Sequence, residues 1–174
     1  MSRRTTFHRV VAVLLCGAAL GGCGDDARND DDRFVTDAYT VAIEWVLARP
    51  EFAPDVDLEV VPPVFVDSLG PDEIDLDVQV EIVRRFEPVV DVRFTDTRGE
   101  ALDATKDGSP VRDGGLLLGL GAVPITTSAE FRCEIYRSAD AVVAYRFRVT
   151  REGEEMVLIE PPEPVEPEVF VGGS

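Results

Sequence analysis

Phe131-Arg132-Cys133-Glu134-Ile135-Tyr136-Arg137-Ser138-Ala139-Asp140-Ala141-Val142-Val143-Ala144-Tyr145-Arg146-Phe147-Arg148-Val149-Thr150 is the stretch that decides the fold class of this chain. Phe131, Cys133 and Ile135 alternate with Arg132, Glu134 and Tyr136. Val143, Tyr145, Phe147 and Val149 then alternate with Ala144, Arg146, Arg148 and Thr150. A period of two sends successive side chains to opposite faces of a strand, so both runs predict strands with one buried and one wet face. Ser138-Ala139-Asp140 joins them as a hairpin turn, and Glu152-Gly153 is a second turn leading to Val157 and Ile159. Upstream, Val90, Val92 and Phe94 keep the same period, and Leu116–Leu120 is a short apolar run. The expectation is an antiparallel sheet of about five strands.

The sequence before residue 89 has a different period. Phe34, Ala38, Val41, Ala42 and Trp45 recur at helical spacing, with Arg33, Thr36, Asp37, Thr40 and Glu44 on the other side. Asp30 to Asp32 suit the positive end of a helix over 33–49, and Pro50 stops it. Trp45 is expected to anchor the core. Val64-Phe65-Val66 predicts a buried strand. Residues 72–87 carry two patterns. Ile74, Leu76, Val78, Val80 and Ile82 alternate as in a strand, yet Pro71-Asp72-Glu73 starts a helix well and Arg84-Arg85 ends one. Leu76, Val80 and Val83 also share a helix face, and helix is the expectation. Residues 160–168, Glu-Pro-Pro-Glu-Pro-Val-Glu-Pro-Glu, predict an extended tail that cannot pair in a sheet, because proline lacks the donor. Helix, strand, helix and then antiparallel strands make an α+β domain. In element order, though in no motif, it resembles the cone-shaped NTF2-like fold and secreted domains of high-GC bacteria.

Charge narrows the range of functions. The net charge is −17, and residues 1–22 hold three of the 17 basic residues and none of the 34 acidic ones, so removing them leaves −20. Such a surface repels phosphate backbones and anionic headgroups, which disfavours nucleic acid and argues against electrostatic membrane attachment. The single histidine is His8. A chain without it lacks the commonest general base and a favoured metal ligand.

His8 lies in an N-terminal address. Arg3, Arg4 and Arg9 precede Val10–Leu20, an apolar run about half the roughly 20 residues a membrane span needs. That arrangement predicts a signal peptide over residues 1–22. Leu20-Gly21-Gly22-Cys23 resembles the lipobox of bacterial lipoproteins. The resemblance implies cleavage before Cys23, flanked by Leu20, Gly21 and Gly22, and diacylglyceryl on the Cys23 thiol. Glycine leaves the scissile backbone unhindered, whereas Cys16 follows the bulky Leu14 and Leu15. Two acyl chains anchor stably where one does not. Ser2-Arg3-Arg4 is similar to a twin-arginine export signal, but Phe7 falls one position late, and the route stays open. The expected organisation is a signal peptide (1–22), lipidated Cys23 with an acidic tether (23–33), one domain (34–160) and a Pro/Glu-rich tail (161–174).

Catalytic candidates are few. Gly119-Leu120-Gly121 lacks the third glycine of a dinucleotide loop, and Pro124 follows where a helix should start. Asp103-Ala-Thr105-Lys-Asp107-Gly108 resembles the start of a calcium loop, but its twelfth position is Gly114 where an EF-hand needs glutamate. Clustered aspartates over 24–33 could meet calcium, although nothing fixes a geometry. Cys133 has apolar strand neighbours and no histidine to activate it, so it reads as a core residue. Arg132, Arg137, Arg146 and Arg148 are expected on one sheet face, paired with carboxylates, with anion binding the alternative. No cofactor, metal site or catalytic residue is assigned. The function expected is a non-catalytic, lipid-anchored envelope domain of unknown specificity that binds or supports another component at the membrane surface, an envelope protein among the candidates. The alternative is a small-ligand pocket of NTF2-like form.

Overall fold

The hairpin forms as the alternation predicts. β4 (Ser128–Ser138) pairs antiparallel with β5 (Ala141–Glu152), with Phe131 opposite Phe147 and Arg132 opposite Arg146. This computed structural model describes residues 26–52 and 61–168. Around the hairpin lie helix α1 (Asp26–Leu47), strand β1 (Val64–Ser68), helix α2 (Leu76–Phe86), strand β2 (Val92–Phe94) and the one-turn helix α3 (Arg98–Ala101). Strands β3 (Leu116–Leu120), β6 (Glu155–Leu158) and β7 (Glu163–Val165) complete the set.

The α+β class holds, but the sheet is mixed and has seven strands. Their order is β2-β1-β3-β4-β5-β6, with β7 also on β5. β1 runs parallel to both β2 and β3, and every other pair is antiparallel. Parallel neighbours cannot be joined by a tight turn and need a crossover. α2 is the crossover from β1 to β2, and the segment carrying α3 is the crossover from β2 to β3. α2 packs into the core on one face of the sheet, while Ala101 of α3 packs on the other, so the two connections cover opposite faces.

Local chemistry explains α2. The Asp75 side chain accepts a hydrogen bond from the Asp77 amide at 2.9 Å, and Arg84 and Arg85 occupy the last turn. The helix buries Val78, Ile82 and Phe86. Leu76, Val80 and Val83, the apolar face legible in the sequence, turn outward at 69%, 56% and 38% exposure. The strand-like alternation is thus two apolar stripes on one helix.

α1 begins at Asp26, so residues 26–33, expected as tether, continue the helix. Ala38, Ala42, Ile43 and Val46 are fully buried against Val64 and Val66 of β1, Leu118 and Leu120 of β3, and Phe131, Cys133 and Phe147 of the hairpin. Its polar stripe meets other elements. Asp37 accepts from Arg85 of α2 at 2.8 Å and from Arg151 of β5 at 3.2 Å.

The second sheet face is only partly wet. Phe65, Leu117 and Tyr136 pack there under Ala101 and Val111. β3 is therefore buried along its whole length, which is why its sequence is a continuous apolar run and does not alternate. The tail also departs from expectation. Glu163–Val165 pairs with β5, with Pro164 opposite Tyr145. An edge strand tolerates proline because one side of its ladder needs no partner.

Candidate functional site

β1 and β2 run parallel and end on the same side of the sheet, and their connections leave to opposite faces. In such sheets a crevice opens beyond the carboxyl ends of the strands. Here it is a cleft of about 240 Å³ whose walls include Asp67, Ser68, Asp72, Glu73, Phe94, Asp96 and Arg98. Gln79 and Phe94 also line an adjoining apolar groove formed by Leu76, Val80 and Val83, with Arg84 and Glu87 at its rim. The site is thus a carboxylate-rich cleft continuous with an apolar groove beside β2.

The inner wall is built from buried charge. Asp67, Gly119 and Glu134 lie in one row across β1, β3 and β4. A Cβ on Gly119 would stand 2.4 Å from the Leu69 side chain and 3.2 Å from Asp67 Oδ1, so glycine makes room for both. Asp67 and Glu134 are 7% and 1% exposed. Arg98 reaches between them, with Nε 3.5 Å from Asp67 Oδ2 and Nη2 3.6 Å from Glu134 Oε2. Arg132 donates to Glu134 Oε1 from Nη2 at 2.7 Å and from Nε at 3.1 Å, and the Glu168 amide donates to the same oxygen at 2.7 Å. Arg132 also donates to the Glu166 carbonyl at 2.5 Å, which ties the C-terminal segment to the sheet. Burial pushes the Asp67 carboxyl above its ordinary range, Arg98 opposes that shift, and the Glu134 charge adds to it. Two carboxylates facing two guanidiniums balance one another. Of this network, Asp67 and Arg98 line the cleft itself.

The residues singled out in the sequence are dispersed. Leu20, Gly21, Gly22 and Cys23 lie outside the described residues, as do the signal peptide and residues 169–174 of the tail. Arg132, Arg146 and Arg148 share the second face, where Glu130 pairs with Arg146 at 3.2 Å and with Arg148 at 2.8 Å. Arg137 departs from that expectation and donates to the Phe52 carbonyl at 2.5 Å. Gly119 sits inside β3 and not in a phosphate loop. Asp103 turns onto its own loop, accepting from Thr105 Oγ1 at 2.5 Å and pairing with Lys106 at 3.1 Å. Asp32 of the aspartate run meets Asp75 and Asp77, with carboxylate oxygens within 4.8 Å of one another, at the solvent-facing start of α2. Trp45 is only partly buried, packed on the core rim.

Cys133 is fully buried, and burial together with the Glu134 charge pushes its thiol up to about 12. Cys133 should therefore react very slowly with a thiol reagent at pH 8 in the folded protein and quickly in denaturant. Rapid native labelling would mean the strand opens or the thiol is exposed.

Asp67, Arg98 and the outward face of α2 were not legible as a site. Asp67 and Arg98 are 31 residues apart and meet only through the β1–α2–β2 crossover. The one available signal was a helix with two apolar stripes and only one partner surface to cover them. No family model, characterised protein or solved structure matches this chain. Among the described residues, no helix is long and apolar enough to cross a membrane.

Proposed function

We propose that this chain is an exported lipoprotein, held on the extracytoplasmic face of a bacterial membrane by lipid on Cys23, and that its folded domain is a non-catalytic interaction module for another envelope protein. One observation supports the interaction half: the Leu76, Val80 and Val83 stripe beside the edge strand β2, left exposed by the described residues. Scattered exposed apolar residues are ordinary, but a stripe lining a groove beside an open sheet edge suits a docking site. The alternative, a small-ligand pocket between helix and sheet, would need a hollow there. That space holds Ile43, the edge-to-face contact of Tyr39 with Phe131 at 5.8 Å, and the stacked Phe131 and Phe147 at 5.5 Å. The anchoring half rests on Leu20-Gly21-Gly22-Cys23 behind a basic and then apolar leader.

Replacing the thiol tests the anchor directly. The wild-type protein should fractionate with membranes and need detergent for release. Cys23→Ala should either appear in the soluble fraction or accumulate as an unprocessed precursor. Identical fractionation and migration of the two proteins would overturn the lipoprotein reading.

A further inference from the structure

We infer that the partner docks as an extended, basic segment, its apolar side chains lying in the α2 groove and a lysine or arginine entering the carboxylate cleft. The inference rests on reading the domain as an interaction module, and it adds the chemistry of the partner. Three observations carry it. The first is continuity: the apolar groove and the cleft share Gln79 and Phe94, so a chain lying along β2 passes from one into the other.

The second is the edge itself. Among the described residues, β2 ends the sheet. The Asp91 carbonyl and the Thr95 amide bond inward to β1, at 2.8 and 2.9 Å. Alternation along the strand then turns the backbone groups of Val92 and Phe94 outward, where an added strand would meet them. Successive side chains of that strand would fall alternately on the Leu76–Val80–Val83 stripe and on the opposite side.

The third is charge. Asp72, Glu73 and Asp96 line the cleft, are exposed, and form no ion pair among the described residues. A cationic side chain answers all three. A second copy of this chain would carry the same net negative charge, −17 over the full sequence and −20 without residues 1–22, and an anionic bilayer would be repelled in the same way. A basic partner segment is the occupant that charge favours.

Selection of a random 12-residue displayed peptide library on the purified full chain in detergent would test this, followed by fluorescence anisotropy with the best peptide synthesised. Enriched peptides should carry alternate apolar residues with lysine or arginine at one end. Val80→Asp should weaken binding about tenfold or more, as truncation of a central anchor does. The triple variant Asp72→Asn, Glu73→Gln, Asp96→Asn should also weaken binding about tenfold, and should have no effect on a peptide whose cations are replaced by glutamine. All four positions are exposed, so unchanged melting temperatures would verify that the variants fold. If Val80→Asp abolishes binding and the triple variant does nothing, the cationic partner is overturned and the interaction reading stands. If Val80→Asp has no effect, or no peptide is enriched, both fall. Sedimentation showing a dimer lost in Val80→Asp, or flotation with phosphatidylglycerol vesicles lost in that variant, would overturn the proposal in favour of a second copy or a lipid surface.

Discussion

Glu134→Ala is expected to destabilise the domain by roughly 3 kcal/mol, the low end of the cost of removing one member of a buried ion pair. Glu134 is 1% exposed, and its Oε1 satisfies two donors of Arg132 and the Glu168 amide. Truncation would leave the Arg132 and Arg98 guanidiniums facing an uncharged gap, with side chains only 25% and 23% exposed. It would also release the segment that Arg132 and Glu134 hold onto the sheet. The low end applies because both arginines reach some water and keep other partners, Glu166 and Glu168 for Arg132 and Asp67 for Arg98. Urea unfolding of Glu134→Ala and Glu134→Gln would measure this. The glutamine variant, which keeps the shape and one acceptor, should fall between alanine and wild type. Amide exchange at Glu168 should speed up in the alanine variant before global unfolding does. Equal stability of all three proteins would show that the wall contributes nothing to folding.

Trp45→Ala is expected to cost about 2–4 kcal/mol, somewhat less than the roughly 3–5 kcal/mol for a fully buried aromatic ring. The indole meets Tyr145 at 4.9 Å and Phe147 at 5.3 Å, both edge-to-face, and Phe52 at 6.3 Å. Arg49 lies 3.7 Å above its centroid, closing the outer side with a cation. Because Phe147 is fully buried, losing the indole opens the end of the core between α1 and β5. The melting temperature should fall by roughly 10 °C. Emission should be blue-shifted from that of free tryptophan, though less than for a sealed indole. An unchanged melting point with red-shifted emission would remove Trp45 from the core and make it a surface residue available for binding.

Period alone settled several elements. The alternation over 131–150 produced β4 and β5 with Phe131, Cys133, Ile135, Phe147 and Val149 inward as expected, whereas Val143 is 40% exposed and Glu134, Tyr136 and Ala144, expected on the wet side, are buried because the second face is partly covered as well. The spacing of Phe34, Ala38 and Ala42 produced α1, though with its start misplaced. A run of aspartates carries no hydrophobic mark of whether it continues a helix. Other elements were unreadable for a different reason. The parallel pairing of β1 leaves no mark in Val64-Phe65-Val66, since a strand buried on both faces shows only that it is apolar. Pro164 argued against pairing, yet the rule concerns central strands, and whether a strand lies at an edge depends on its neighbours.

The site divides along the same line. The sequence by itself determined the charge of the molecule, the lipobox resemblance at Cys23, the core position of Cys133 and the apolar character of Leu76, Val80 and Val83. Only the tertiary structure decided that those three residues face outward, because α2 carries two apolar stripes and the sheet can cover only one. Only the tertiary structure brought Asp67, Arg98, Glu134 and Glu168 together, from segments separated by 30 residues or more. Periodicity reports which way a side chain leans relative to its own element, whereas a site is made by elements that meet after the chain has crossed over, and that depends on strand order.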